Sequence, residues 1–230
     1  MYNTVVLRID RPDQEVIAQI AAHPVPSLYE VMGKSGIVDV TIQPLYRPIN
    51  LAGPALTVRC QPGDNLMLHK AMTLTQPGDV LVIDTAGAPG AVAGGIATVQ
   101  SLATGIAGVV TNGSARDVRE IREAKFPVFC QFVSPAGTSK NRGGAVNVPV
   151  VVGGVVVRPG DIVVGDDDGV VVVPPERAVE VLEKVKARGE KEEALTEAAR
   201  NGERLFDTLS LQKTYEALGV REIEGPINYW

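Results

Sequence analysis

Residues 80–120 read VLVIDTAGAPGAVAGGIATVQSLATGIAGVVTNGSARDVRE, and this stretch decides the fold class. The apolar run Val80–Ile83 predicts a strand, and after a Gly-rich segment a helix is predicted from Ile96 to about Thr104. The run Gly108–Thr111 predicts the next strand, followed by a polar turn and a helix from Asp117 to Ala124. Because strands that alternate with helices are joined by crossover connections, we expect at least some parallel strands.

Two short helices are predicted before this stretch, between Arg11 and Gly36. The first carries apolar residues at a period of 3.6, and Pro24 and Pro26 follow it. The second is predicted to start near Ser27, with Ser27 as its cap and Glu30 three positions on, as in a capping box.

The region after the stretch is rich in Val and Gly. Short apolar runs between Val146 and Val173 are separated by tight turns, which predicts a second sheet or hairpins packed on the first. A long charged helix is predicted from Glu176 to about Asn201. We therefore expect one mixed α/β domain over residues 1–230, with two β layers, a helical layer and a C-terminal helical arm at about 175–218.

Charge and cysteine content limit the function classes. The net charge is −5 and no basic run is present, which argues against a nucleic-acid partner. No window approaches the roughly 20 apolar residues of a membrane-spanning helix, and the N-terminus lacks a cleavage pattern. Cys60 and Cys130 lack C-x-x-C spacing and suggest reduced thiols. We expect a cytoplasmic protein with no membrane or nucleic-acid partner.

Two loops carry the candidate chemistry, and both follow a predicted strand and open a helix. Such loops gather at the carboxyl ends of strands, where ligands of α/β proteins bind. In the first loop, Gly94-Gly-Ile-Ala97 presents backbone N–H groups at a helix N-terminus, which suits a carboxylate. Its two glycines allow a ligand to approach the backbone closely.

The second loop supplies Arg116 and Asp117. The guanidinium of Arg116 can hold a carboxylate or polarise a keto oxygen, and Asp117 offers an oxygen ligand suited to Mg²⁺ or Mn²⁺. Together they would hold a 2-oxo acid against a metal and stabilise an enolate. The alternative is that Asp117 caps its helix and Arg116 is a solvated surface charge.

Three other features have a structural and a functional interpretation. His69 lies on a predicted helix after Asn65, where it is either a structural histidine or a residue of the cleft. Asp166–Asp168 lacks the spacing of an EF-hand loop, so a hairpin turn explains it better. Residues Thr138–Gly144 are predicted to form a flexible polar loop that could cover the site, and the sequence assigns it no further role.

Several motifs occur in an order and at a spacing that resemble a known family, between about Ser27 and Gly219. The resemblance is to the 4-hydroxy-4-methyl-2-oxoglutarate / 4-carboxy-4-hydroxy-2-oxoadipate aldolases, which share their fold with the regulator of ribonuclease activity A. It implies a three-layer swivelling β/β/α domain assembled as a homotrimer or homohexamer. The motifs are Leu51–Val58, Pro62–Met67, Gly94–Ala97, Gly108–Glu120 and Pro159–Pro174.

The resemblance also implies roles for individual residues. Arg116 matches the arginine that binds the pyruvyl group, and Asp117 matches the metal ligand, for Mg²⁺ or Mn²⁺. The amides of Gly94, Gly95, Ile96 and Ala97 match the loop that holds the substrate carboxylate.

Two acidic residues match positions that hold metal-bound water. Glu30 matches one of them, unless it only caps its helix. Glu192 matches a second, supplied by a neighbouring subunit, although Glu190 is a rival and the run of Glu190, Glu192 and Glu193 also suits a solvated helix face.

Gly95 departs from the family pattern, because many relatives carry Asp or Glu at this position. In the aldolases that acid assists proton transfer, so its absence favours decarboxylation of oxaloacetate over aldol cleavage. The sequence thus predicts a pyruvate-forming metal-dependent lyase acting on small 2-oxo diacids. The alternatives are another enzyme on the same scaffold, or a non-catalytic regulator, which would lack the acid at position 117.

Overall fold

The computed structural model describes residues 3–226, which form two compact units that meet between Val185 and Lys186 in the chain. The first unit contains the sheets and the first five helices. The second contains the later part of a long helix and two short helices. That the whole chain forms one domain stays a prediction.

The helices and strands follow the predicted alternation. The strands are β1 (Thr4–Val5), β2 (Gln43–Pro44), β3 (Leu51–Arg59), β4 (Val80–Asp84), β5 (Ala91–Ala93), β6 (Gly108–Ala115), β7 (Val128–Val133), β8 (Ala145–Val146), β9 (Val150–Val152), β10 (Val155–Val157), β11 (Ile162–Asp166) and β12 (Gly169–Val173). The helices are α1 (Gln14–Ala21), α2 (Val25–Val31), α3 (Leu66–Met72), α4 (Gly95–Ala103), α5 (Val118–Glu123), α6 (Ala178–Arg200), α7 (Leu205–Thr208) and α8 (Gln212–Ala217), with a 3₁₀ turn at Pro175–Arg177.

The main sheet has the strand order β1-β8-β3-β4-β6-β7-β2 among the described residues. The pairs β3–β4, β4–β6 and β6–β7 are parallel, as the crossover connections predict. Strand β3 joins two β layers: its first half pairs antiparallel with β11 and its second half pairs parallel with β4. Strand β3 has nine residues and is almost wholly buried, so each half is long enough to pair within a different β layer.

Three apolar clusters fill the first unit. One lies between the main sheet and α3 and α5, with Leu68, Ile83 and Ile121 among its members. A second joins the other face of the main sheet to β9, β10 and the β11–β12 hairpin. The third packs this hairpin against α1, α2 and the first residues of α6, up to Val185. This mixed α/β arrangement has the expected two β layers and helical layer, and the expected C-terminal helices are present.

One helix start differs from the prediction. Helix α2 begins at Val25 with Pro24 as its N-cap, so Ser27 lies inside the helix and the predicted capping box is wrong. The reason is a distant partner: the N–H of Val25 donates to Asp166 Oδ2 at 2.8 Å. Asp166 itself ends β11, and β11 and β12 form the hairpin predicted around residues 166–168.

Candidate active site

The two predicted loops meet at one cleft. Strands β5 and β6 are parallel neighbours, so the residues that follow them, Gly94 and Arg116, leave the sheet at the same edge. The backbone N–H of Arg116 donates to the carbonyl of Ala93 at 2.9 Å, which fixes one loop against the other. The resulting cleft has a volume of about 260 Å³, and both loops line it.

Asp117 has an unusual backbone conformation for its position. Its φ of 56° and ψ of 39° place it in the left-handed region, although it directly precedes α5. Its side chain makes no capping hydrogen bond to α5; instead Oδ2 accepts the N–H of Gly95, 22 residues away, at 2.9 Å. The interpretation of Asp117 as a helix cap is therefore wrong. A left-handed residue other than glycine costs free energy, and here it turns a carboxylate toward the cleft.

Arg116 lies beside this carboxylate, with its Nε 3.5 Å from Asp117 Oδ2. The Arg116 side chain is 46% exposed, so its guanidinium is accessible to a ligand in the cleft. A Cβ on Gly137 would lie 3.4 Å from Arg116 Nη1, which shows that Gly137 borders the guanidinium. The geometry brings a cation, a carboxylate and a helix N-terminus together.

The donor set suits a metal that keeps most of its waters. Asp117 Oδ1 makes no hydrogen bond to the described residues, and the side chain is 38% exposed. Within residues 3–226 no three His, Cys, Asp or Glu side chains are grouped closely enough to hold a metal. Mg²⁺ commonly binds one or two carboxylates and several waters, so Asp117 fits Mg²⁺ or Mn²⁺ and would be poorly suited to Zn²⁺.

Glu120 is a residue of this region that sequence reasoning missed. A Cβ built on Gly95 would collide with Glu120 Oε2 and would lie 3.5 Å from Asp117 Oδ2. The Glu120 carboxylate therefore occupies the space into which a side chain at position 95 would project. Asp117 and Glu120 are three residues apart, a spacing that places both on one side of α5. This spacing is the sequence feature from which Glu120 could have been predicted to lie near Asp117.

Asn65 and His69 line the same cleft from α3 and the residue before it. Asn65 is only 8% exposed. Asn65 Oδ1 and His69 Nε2 are both buried and have no hydrogen-bond partner among residues 3–226. Burial, and secondarily the charge of Lys140, lower the pKa of His69, so its imidazole is neutral at pH 7. The cleft interpretation of His69 thus agrees with the structure.

The polar loop 138–144 is held in place by Asp64, and Thr138 and Lys140 of this loop line the cleft. Asp64 Oδ2 accepts the Ser139 hydroxyl at 2.8 Å and the N–H of Asn141 at 2.8 Å. Burial alone would raise the pKa of Asp64, but these hydrogen bonds, with others to backbone N–H groups, hold it below its usual value. The loop is thus hydrogen-bonded to Asp64 and forms one wall of the cleft, and its flexibility stays a prediction.

Of the two predicted water-holding acids, Glu30 does not line the cleft among the described residues of the first unit. Glu30 lies on α2, where its carboxylate is 3.9 Å from Lys34 Nζ. Glu192 belongs to the second unit, on α6, and lies 2.8 Å from Arg188 Nη2. Their roles at a metal stay predictions. So does the choice between Glu192 and Glu190.

Cys60 and Cys130 take no part in this site. Both are free and buried, and burial raises the pKa of Cys60 to about 12 and that of Cys130 to about 11. Thiols with such pKa values are unreactive at neutral pH. No helix within residues 3–226 is long and apolar enough to cross a membrane.

The sequence model of the RraA-like family, described as Aldolase/RraA, matches residues 18–172, which include both loops of the cleft. The chain belongs to this family. A protein of Halalkalibacterium halodurans named "Putative 4-hydroxy-4-methyl-2-oxoglutarate aldolase" is 39% identical over 181 residues, which is 78% of this chain and 86% of the relative. The resemblance seen in the sequence is confirmed.

Solved structures support the same assignment. A crystal structure of a Pseudomonas syringae pv. tomato protein is similar at a TM-score of 0.78 and 29% identity, covering 88% of this chain and 96% of that one. Streptomyces coelicolor RraAS2, described as an unusual member of the RNase ES inhibitor RraA family, has a TM-score of 0.73 and 30% identity. The match covers 81% of this chain and 98% of the Streptomyces coelicolor chain. The predicted β/β/α fold is thereby confirmed. The similar proteins include one that is named as a putative aldolase and one that is described as a member of an RNase inhibitor family.

Proposed function

We propose that the protein is a divalent-metal-dependent carbon–carbon lyase that releases pyruvate from small 2-oxo diacids. One observation carries the proposal: the carboxylate of Asp117 is turned away from its own helix and lies in a cleft beside Arg116. Helix capping does not account for this conformation, whereas a metal ligand beside an anion-binding arginine does.

The loop at the start of α4 would hold the C1 carboxylate of the substrate. The first N–H groups of a helix lack intrahelical partners and attract anions. Since the Gly95 N–H already donates to Asp117 Oδ2, the amides of Ile96 and Ala97 remain for the ligand. The guanidinium of Arg116 would take the keto oxygen and stabilise the negative charge that it gains as the C3–C4 bond breaks.

Asp117 would hold the metal, either Mg²⁺ or Mn²⁺. When bound, the metal supplies Lewis-acid polarisation of the 2-oxo group. The hydrogen bond from Gly95 N–H fixes Oδ2 and leaves Oδ1 for the ion. A site with one protein carboxylate binds weakly, so we expect the ion to be removed readily by a chelator.

Two reactions fit this site, and they differ in the need for a base. Decarboxylation of oxaloacetate needs only stabilisation of the enolate, whereas aldol cleavage also removes a proton from the C4 hydroxyl. Gly95 by itself favours decarboxylation. Glu120 changes this expectation, because its carboxylate lies where a side chain at position 95 would project. We therefore include aldol cleavage in the proposal, with Glu120 as its candidate base.

A different enzyme on the same scaffold is the second candidate, and Gly95 is the observation that favours it. A regulator without catalysis is the third, and Asp117 is the observation against it.

The discriminating experiment measures pyruvate release from a panel of 2-oxo diacids, with Mg²⁺ or with EDTA. Release that EDTA abolishes supports the lyase. Turnover of another 2-oxo or hydroxy acid alone would favour the second candidate, and no turnover of any acid would favour the third.

A further inference from the structure

Two polar atoms in the cleft are buried without a partner. Asn65 Oδ1 and His69 Nε2 are each inaccessible and receive no hydrogen bond within residues 3–226, and the Asn65 residue is 92% buried. Buried polar atoms of native proteins are nearly always hydrogen-bonded, because an unpaired one retains its full desolvation cost. Asn65 and His69 are four residues apart, so they lie on one side of the turn that opens α3. Both also line the cleft that Arg116 and Asp117 line.

The charges in this cleft match a dianion. Arg116 borders the loop at the start of α4, and Lys140 lies close enough to His69 to lower its pKa. Lys140 lines the cleft, and its ammonium has no hydrogen bond or ion pair within residues 3–226, so it is available to a ligand. A 2-oxo diacid has two carboxylates, and these two cations offer one partner to each.

The missing partner of Asn65 Oδ1 must be a hydrogen-bond donor, because a carbonyl oxygen only accepts. The carboxylates and the keto oxygen of a 2-oxo diacid are all acceptors. A hydroxyl group on C4 is the one donor in a 4-hydroxy-2-oxo diacid, and its oxygen also accepts. The neutral imidazole of His69 can donate to that oxygen through Nε2.

We propose that Asn65 and His69 form a subsite that binds the C4 hydroxyl of a 4-hydroxy-2-oxo diacid, with Lys140 holding the distal carboxylate. The subsite rests on the proposed function for its ligand class. It goes beyond that function in selecting a hydroxylated substrate over oxaloacetate. A site built to hydrogen-bond a hydroxyl discriminates strongly against an analogue that lacks it, because the analogue leaves the buried groups unpaired.

The test compares two ligands that differ only in this hydroxyl, 4-hydroxy-2-oxoglutarate and 2-oxoglutarate. Their dissociation constants are measured by titration calorimetry in EDTA, which prevents metal-dependent turnover. We expect the native protein to bind the hydroxylated acid at least about tenfold more tightly. Asn65→Leu and His69→Leu should each reduce this preference to about twofold or less, while Lys70→Ala, an exposed neighbour on the same helix, should leave it unchanged.

A stability measurement separates binding from a structural role. Asn65 makes no side-chain cap to α3 and its Oδ1 has no partner, so Asn65→Leu should leave Tm unchanged or raise it. A large fall in Tm for both variants would show that these side chains stabilise the fold, and would overturn the proposal.

The binding result is also independent of the lyase activity. Equal affinities for the two acids, no measurable binding of either in EDTA and again in Mg²⁺, or a preference that survives in both variants would overturn the subsite, whatever the enzyme catalyses. Conversely, a tenfold preference that both variants lose would support the subsite even if no pyruvate is released in Mg²⁺. In that case only the proposed lyase function would fail.

Discussion

The Glu120 carboxylate lies in the space into which a side chain at position 95 would project, and this leads to a prediction about proton transfer. If Glu120 serves as the base for aldol cleavage, Glu120→Gln should lower kcat for 4-hydroxy-4-methyl-2-oxoglutarate by ~10²–10⁴-fold, the usual cost of losing a positioned base. Decarboxylation of oxaloacetate needs no such base, so its kcat should change by less than about threefold. Glu120 is exposed on a helix, so the substitution should leave the fold intact.

Substitutions at Gly95 test in a second way the loss of aldol cleavage that is expected for Glu120→Gln. Gly95 has an ordinary backbone conformation, so Gly95→Ala adds a Cβ without backbone strain and displaces the flexible end of Glu120. We expect this variant to lose aldol cleavage in the same way as Glu120→Gln. The double variant Gly95→Asp with Glu120→Gln puts a carboxylate back into that space and should recover at least about tenfold of the lost rate.

The assay couples pyruvate release to lactate dehydrogenase for both substrates, with circular dichroism to check the fold. Glu123→Gln is the matched control, since Glu123 lies on the same helix and, unlike Glu120, is not among the groups nearest to the Cβ position of Gly95. Equal losses on both substrates in Glu120→Gln would contradict a role in proton transfer. Full aldolase activity in that variant would show that Glu120 is not the base.

Two further predictions concern assembly and stability. If Glu192 is donated across a subunit interface, mixing inactive Arg116→Ala and Glu192→Ala chains should restore part of the pyruvate-release activity; a fully active monomer would contradict this. Arg11→Ala leaves the fully buried carboxylate of Asp79 without its 2.7 Å ion pair, so the free energy of unfolding in urea should fall by about 3 kcal/mol. Lys184→Ala, which breaks an exposed pair, should cost less than about 0.5 kcal/mol, and equal losses would contradict the estimate.

Local patterns predicted much of the fold. The alternation of apolar runs and helical segments between residues 80 and 120 gave the parallel strands, because each segment's period depends only on its own residues. The short edge strand β1 was missed, since it pairs with β8 about 140 residues later and carries no periodic signal of its own. The start of α2 was misplaced for a similar reason: its partner, Asp166, is 141 residues away.

The candidate site, too, was predicted only in part, because local sequence does not reveal which distant residues meet. Arg116 and Asp117 stood out because each residue type has a clear chemistry at the start of a helix and because both match site residues of the family that the sequence resembles. The left-handed conformation of Asp117 and its bond to Gly95 depend on two loops meeting, which the sequence does not specify locally. Asn65 and His69 become informative only when their burial and unpaired atoms are known.

The most direct test of the central claim is pyruvate release by the native protein and by Asp117→Asn, each assayed in Mg²⁺ and after chelation with EDTA. Asp168→Asn, a substitution in an exposed turn, is the matched control. We predict that EDTA abolishes turnover by the native protein, that Mg²⁺ restores it, and that Asp117→Asn is inactive in both conditions while Asp168→Asn behaves as the native chain. Turnover that persists in EDTA, or full activity in Asp117→Asn, would contradict the assignment of Asp117 as the metal ligand of a lyase.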